Sequence, residues 1–304
     1  MTMAISKAAE ANPASVQARL NQAEFYVTQG AVAKAEVSVR SAASLDSRST
    51  AVQLMLGRIY ALTGRLAEAE KVFAALKTAA PDDSQAYLAL GEFYASTSQK
   101  EKAAAEFSSL AKSKPGNTLV RRRLAETLEE LGKIDEAMAL NQELLKATPE
   151  DPAVVRLNGR LLMAKHRYQD AVTALQKSVQ LEPGSASAHY LLGTAQNAQG
   201  LSSSAKASFT RALQLEPRST VAAAALARLA GEGGDHDPAI KLGASVQAAD
   251  PNAVSVYLSS ARALMAKGEL PKAEAALEEA LRRDPTSFGG LAILLSLSIQ
   301  QGKA

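Results

Sequence analysis

Alanine returns at the same place in every 34-residue stretch of this sequence. Ala35, Ala69, Ala103, Ala137, Ala171, Ala205, Ala239 and Ala273 form one unbroken column. Twelve places earlier a second column holds Ala23, Gly57, Gly91, Ala125, Gly159, Gly193, Ala227 and Ala261, so only glycine or alanine. Two helices approach closely only where neither carries a large side chain. Two uniformly small columns within one period therefore mark a helix–helix crossing built again and again along the chain.

The stretch from Ala186 to Ser219 shows what fills one period. Leu191, Leu192, Ala195 and Ala198 set small and apolar groups on one stripe of a first helix. Gly200 ends it, because glycine accepts the left-handed conformation that helix C-termini favour. Ser202 to Ser204 supply candidate caps for a second helix, whose stripe is Ala205, Phe209, Ala212, Leu213 and Leu215. Pro217 stops that helix for want of an N–H. The turn column elsewhere holds Gly30, Gly64, Gly132, Gly234 and Gly268, with Ser98 and His166 as exceptions. The stop column holds Pro81, Pro115, Pro149, Pro183, Pro251 and Pro285, with Ser47 as the exception. Units at 16–49, 50–83, 84–117, 118–151, 152–185, 186–219, 220–253 and 254–287 align with no insertion or deletion. No stretch alternates with period two, so an all-α chain is predicted.

This pattern resembles the tetratricopeptide repeat. Tyr26, Tyr60 and Tyr94 stand at that family's tyrosine column, and Phe73, Phe107 and Phe209 at its phenylalanine column. The family's first-helix tryptophan is absent; Tyr87, His189 and Tyr257 occupy its column in three units. The resemblance implies a right-handed superhelical solenoid of antiparallel helix pairs, with eight full repeats and a half-repeat at each end. It reads as a single domain over 1–304. Residues 1–15 are the second helix of one truncated repeat, 16–287 the eight repeats, and 288–304 the first helix of another. Repeat seven, with Ala230 and Gly243 where large side chains are expected, is predicted to be the loosest-packed unit.

Composition narrows the function classes. A net charge of +3 is too small to argue for nucleic acid. With no cysteine, disulfides, zinc–thiolate sites and thiol nucleophiles are excluded. No apolar run is long enough to span a bilayer, and the compartment, cytoplasmic or periplasmic, stays open. His166, His189 and His236 show no metal-ligand spacing. The loop GEGGDHDP, Gly231 to Pro238, lacks the lysine and hydroxyl residue of a phosphate loop and the oxygen ligands of a calcium loop. It reads as a loosened turn with Pro238 in the first turn of the next helix. Neither an enzyme nor a cofactor or metal is predicted.

The expected function is binding. In the tetratricopeptide family, positions two, five, six, nine, twelve and thirteen of each unit face a concave groove. Carried onto this chain, they include Leu54, Met55, Arg58, Leu88, Leu157, Tyr190, Leu191 and Asn197. Arg122, Arg123, Arg156 and Arg160 fall on neighbouring first helices and are predicted to cluster in the groove, where their forks would suit acidic groups on a peptide or protein. Glu126 lies one turn from Arg122, so an internally paired face is the competing reading. The chaperone-tail clamp pattern is not met. Two rival roles accompany the groove. One is a spacer or regulatory segment of a larger bacterial protein, in exopolysaccharide assembly or export or beside a transferase domain. The other is head-to-tail self-association, with residues 1–11 docking on 288–301 of another copy.

Overall fold

The computed structural model describes residues 12 and 14–302. The segment read as an orphan second helix, 1–11, lies outside the described residues. First helices of 13 residues alternate with second helices of 14. They are α1 (Val16–Thr28), α2 (Val32–Leu45), α3 (Thr50–Leu62), α4 (Leu66–Ala79), α5 (Ser84–Ser96), α6 (Lys100–Ser113), α7 (Thr118–Glu130), α8 (Ile134–Ala147), α9 (Pro152–Ala164), α10 (Tyr168–Leu181), α11 (Ala186–Ala198), α12 (Ser202–Leu215), α13 (Thr220–Glu232), α14 (His236–Ala249), α15 (Val254–Ala266), α16 (Leu270–Arg283) and α17 (Phe288–Gln300). Helix starts recur at intervals of 34 residues throughout, and no strand occurs among the described residues. The chain divides into two compact units, residues 1–147 and 148–304. Within each, every helix packs on the next, and several first helices also pack on the first helix of the following repeat.

The crossing inside each hairpin obeys a size rule that links the small column at position eight to position twenty-four. Phe73, Phe107 and Phe209 each lie across from a glycine: Gly57, Gly91 and Gly193. A Cβ on these glycines would stand 2.5–2.7 Å from the facing ring. Leu175 crowds Gly159 in the same way. Where position eight is alanine, position twenty-four is Val39, Asn141, Gly243 or Leu277 and never phenylalanine. Repeat seven is not left hollow by its glycine: Ser260 of the next repeat occupies the space a Gly243 side chain would take, with Val256 beside it. Asn141 is the misfit. It is fully buried in the phenylalanine column, and neither amide atom reaches a hydrogen-bond partner among the described residues.

The turns are uniform. Gly30, Gly64, Gly132, Gly200, Gly234 and Gly268 take φ between 70° and 84°, and the two exceptions, Ser98 and His166, are forced into the same region at φ 59° and 58°. The Ser202–Ser204 caps are not used, and α12 starts from Leu201 with no side-chain cap. The left-handed residue turns the chain directly into the second helix, leaving no extended residue to cap it. Side-chain caps serve first helices instead, from Ser15, Asp83, Asn117, Asp151, Ser185 and Ser287. Polar straps then join consecutive repeats. Arg65 reaches Glu36 at 2.6 Å, Lys77 reaches Glu106 at 2.5 Å, and Lys206 reaches Asp235 at 2.7 Å. The Tyr94 hydroxyl donates to Glu70 at 2.9 Å. Burial, reinforced by that carboxylate, pushes the phenol up to about 12.

Four substitutions test these features. Gly91→Ala is expected to lose about 1–3 kcal/mol by overpacking against Phe107. Combining it with Phe107→Leu should cost less than the two single losses added together in denaturant titrations. Asn141→Leu should gain about 1–2 kcal/mol by removing a buried unpaired amide, because Leu277 already shows that leucine fits against an alanine at position eight. Ser98→Gly should raise the melting temperature, with a gain of about 0.5–1 kcal/mol from relief of the left-handed strain.

Candidate functional site

Unit 1 contains a cleft of about 780 Å³ between α3 and α5. The residues lining it follow from helix register. Leu54, Arg58, Ala61 and Leu62 stand at positions five, nine, twelve and thirteen of repeat two, and Gln85, Leu88, Ala89 and Glu92 at positions two, five, six and nine of repeat three. Phe73 and Phe93 close the floor, their ring centroids 5.4 Å apart. Leu62 is 52% exposed at the rim, whereas Leu88 is buried at the base. Leu54, Arg58 and Leu88, picked out by sequence position, are thus brought together. Met55 is not with them and packs beside Val39, Val52 and the rest of the first two repeats' core.

The charges beside this cleft are arranged in pairs that point away from it. Arg58 turns back one repeat to Glu24 at 2.7 Å. Glu92 turns forward to Arg123 at 2.7 Å. Arg123 also meets Glu126 at 3.0 Å, and Arg122 meets the other oxygen of Glu126 at 2.8 Å. Burial lowers the affinity of Arg123 for its proton, yet its two carboxylate partners outweigh that and raise its pKa. The floor between Arg58 and Glu92 is left apolar because each charge is satisfied on its far side.

Unit 2 places the other sequence-derived residues separately. Tyr190, stacked at a tilt on Phe209 with 5.7 Å between centroids, lines a smaller cleft of about 320 Å³ with Thr194, Asn197 and Arg228. Arg156 pairs with Glu182 at 3.1 Å. Arg160 is also engaged in a polar interaction. Leu191 is half-buried. Leu157 corrects its groove assignment: at 1% exposure it belongs to the core, because α9 turns that position inward against its neighbours. The GEGGDHDP turn has Gly234 in the left-handed region and Pro238 near the start of α14. Its aspartates bridge outward, Asp235 to Lys206 and Asp237 to Lys267. The Lys206 ammonium holds the Asp235 carboxyl below its ordinary value. No group of three or more His, Asp or Glu side chains suited to a metal occurs among the described residues. No helix among them is long and apolar enough to cross a membrane.

Sequence reasoning missed the cleft's aromatic floor. Phe93 sits at position ten, outside the groove-facing set, and Phe73 comes from a second helix. The absence of a large side chain over them, at Ala61 and Ala89, was the available signal.

Comparison with known proteins closes the case for the fold. The tetratricopeptide repeat family model matches residues 27–93, 98–161, 162–229 and 230–292. No curated protein sequence matches the chain. Among solved structures, the Cut9–Hcn1 hetero-tetramer of the APC/C is similar with a TM-score of 0.68 and 16% identity, over 94% of this chain and 56% of that one. PilW, a widely conserved type IV pilus biogenesis factor, is similar with a TM-score of 0.63 and 21% identity, over 68% of this chain and 96% of that one. YrrB, a tetratricopeptide repeat protein with an unusual peptide-binding site, is similar with a TM-score of 0.51 and 19% identity, over 61% of this chain and 96% of that one. At these identities the likeness carries the fold alone. With four matched regions spanning most of its length, the chain belongs to the tetratricopeptide repeat family, an architecture of protein-interaction scaffolds.

Proposed function

We propose that this scaffold holds a segment of a partner protein in the α3–α5 cleft, through large apolar side chains of that segment. The observation that supports this reading is the cleft itself: an apolar floor of Leu54, Leu88, Phe73 and Phe93, flanked by charges that already have partners. Burying a leucine- or phenylalanine-sized side chain there contributes about 1.5–3 kcal/mol, without the cost of breaking an ion pair. Arg58 and Glu92 then act at the rim, where they orient the partner backbone more than they bind it.

A second reading places an acidic segment on the arginines of one unit, Arg122 and Arg123 of unit 1 or Arg156 and Arg160 of unit 2. Its support is that three of these pair with carboxylates, and the more exposed pairs, Arg123–Glu92 and Arg156–Glu182, are of a kind worth about 1 kcal/mol each. An incoming carboxylate could exchange with Glu126 or Glu182 at little cost.

The two readings separate in one experiment. A displayed peptide library is selected on the 304-residue chain, and the best peptide is titrated at about 50 and about 500 mM salt. The apolar reading expects an affinity that changes less than about threefold with salt. It also expects at least a tenfold loss in Leu62→Glu, a rim residue whose exchange leaves the core untouched. A steep salt dependence, with loss in Arg122→Glu or in Arg156→Glu but not in Leu62→Glu, would overturn it in favour of the acidic reading.

A further inference from the structure

The last helix carries the most exposed apolar surface among the described residues. Phe288 is 86% exposed, Leu291 49%, Leu295 62% and Ile299 61%. The opposite side of α17 is firmly seated: Ile293 and Leu297 are buried against Leu264, Leu277 and Ala273. The helix, FGGLAILLSLSIQ, contains no charged residue. A helix apolar on every side is one that is covered on every side.

A regular second helix is a poor cover. Leu295 stands at position eight, the column that is glycine or alanine in all eight repeats. Even a Cβ at Gly57, Gly91 or Gly193 would lie within 2.7 Å of the facing side chain, so a leucine there shuts the usual crossing. The face does complement itself. Leu291, Leu295 and Ile299 form a ridge spaced four residues apart, and beside it the exposed Ala292 and Ser296 form a parallel groove. Ridge and groove of this spacing on one helix interlock with an identical helix across a two-fold axis. No charge on α17 opposes that approach. The four large side chains expose on the order of 400 Å² per copy. Together with the small residues between them, two copies would bury roughly 1,000 Å², the lower end of what a specific dimer needs.

We propose that the exposed face of α17 is the contact of a two-fold symmetric homodimer, with Leu295 nearest the axis. The dimer is weak and self-limiting: one face per chain pairs with the same face of one other chain and leaves nothing to propagate.

Sedimentation equilibrium of the 304-residue chain from about 1 to about 200 μM should show the mass rising to twice that of the monomer, a micromolar association. Leu295→Glu should stay monomeric with an unchanged melting curve, while Val37→Glu, a comparably exposed site on α2, should dimerise like the parent. Because the chain has no cysteine, Leu295→Cys should also form a disulfide-linked dimer on mild oxidation where Val37→Cys does not. A monomer across the whole range, or association unaffected by Leu295→Glu, would overturn the proposal. Species larger than a dimer that vanish when residues 1–11 are removed would overturn it too, in favour of a head-to-tail contact.

Discussion

Four of the eight hairpins of this protein rest on a contact between a glycine and a large apolar side chain. Gly57, Gly91 and Gly193 let a phenylalanine ring lie against the backbone of the first helix, and the ring fills the space a second helix would otherwise leave open. The close approach lets a short pair of helices bury a continuous interior, although neither helix is long enough to be stable alone. Everything else is secondary to that spacing: the left-handed turn residue sets the hairpin, and the proline after the second helix ends it. The alternation of 13- and 14-residue helices holds the period at 34.

Between hairpins the logic changes from shape to polarity. Apolar clusters run from one repeat into the next, as Phe73, Phe93 and Phe107 do in unit 1. Around them, ion pairs and hydrogen bonds join residues about one period apart. The straps that lie at the surface, such as Lys206–Asp235, contribute little on their own. Their placement decides where surface remains free. Because Arg58 is drawn back to Glu24 and Glu92 forward to Arg123, one stretch of the first-helix face is left with an uncharged floor.

The sequence made the architecture plain because its signals were redundant: small columns, turn glycines and stop prolines all agree on the same period. Helix starts therefore fell where the columns placed them. What it concealed depended on reading two columns against each other, row by row. The pairing of glycine with phenylalanine, and the oddity of Asn141 opposite Ala125, are both visible in the letters once position eight is set beside position twenty-four. Other features were not legible at all. The direction in which Arg58 turns is a rotamer choice among competing carboxylates. The burial of Leu157 depends on the rotation of α9 by a fraction of a turn. The serines at 202–204 were misleading because a good capping residue is useless where the turn leaves no extended residue to carry it.

The straps also give the repeats addresses. Glu36 and Arg65 occupy the same pair of columns as Lys206 and Asp235, with the signs exchanged. A chain of near-identical hairpins could fold with the wrong neighbours in contact, since every small column matches every other. If repeat one docked on repeat seven, Glu36 would meet Asp235. If repeat six docked on repeat two, Lys206 would meet Arg65. Pairs too weak to hold the protein together can still penalise these two misordered arrangements. A repeat array can thus draw part of the order of its parts from the variation of its surface.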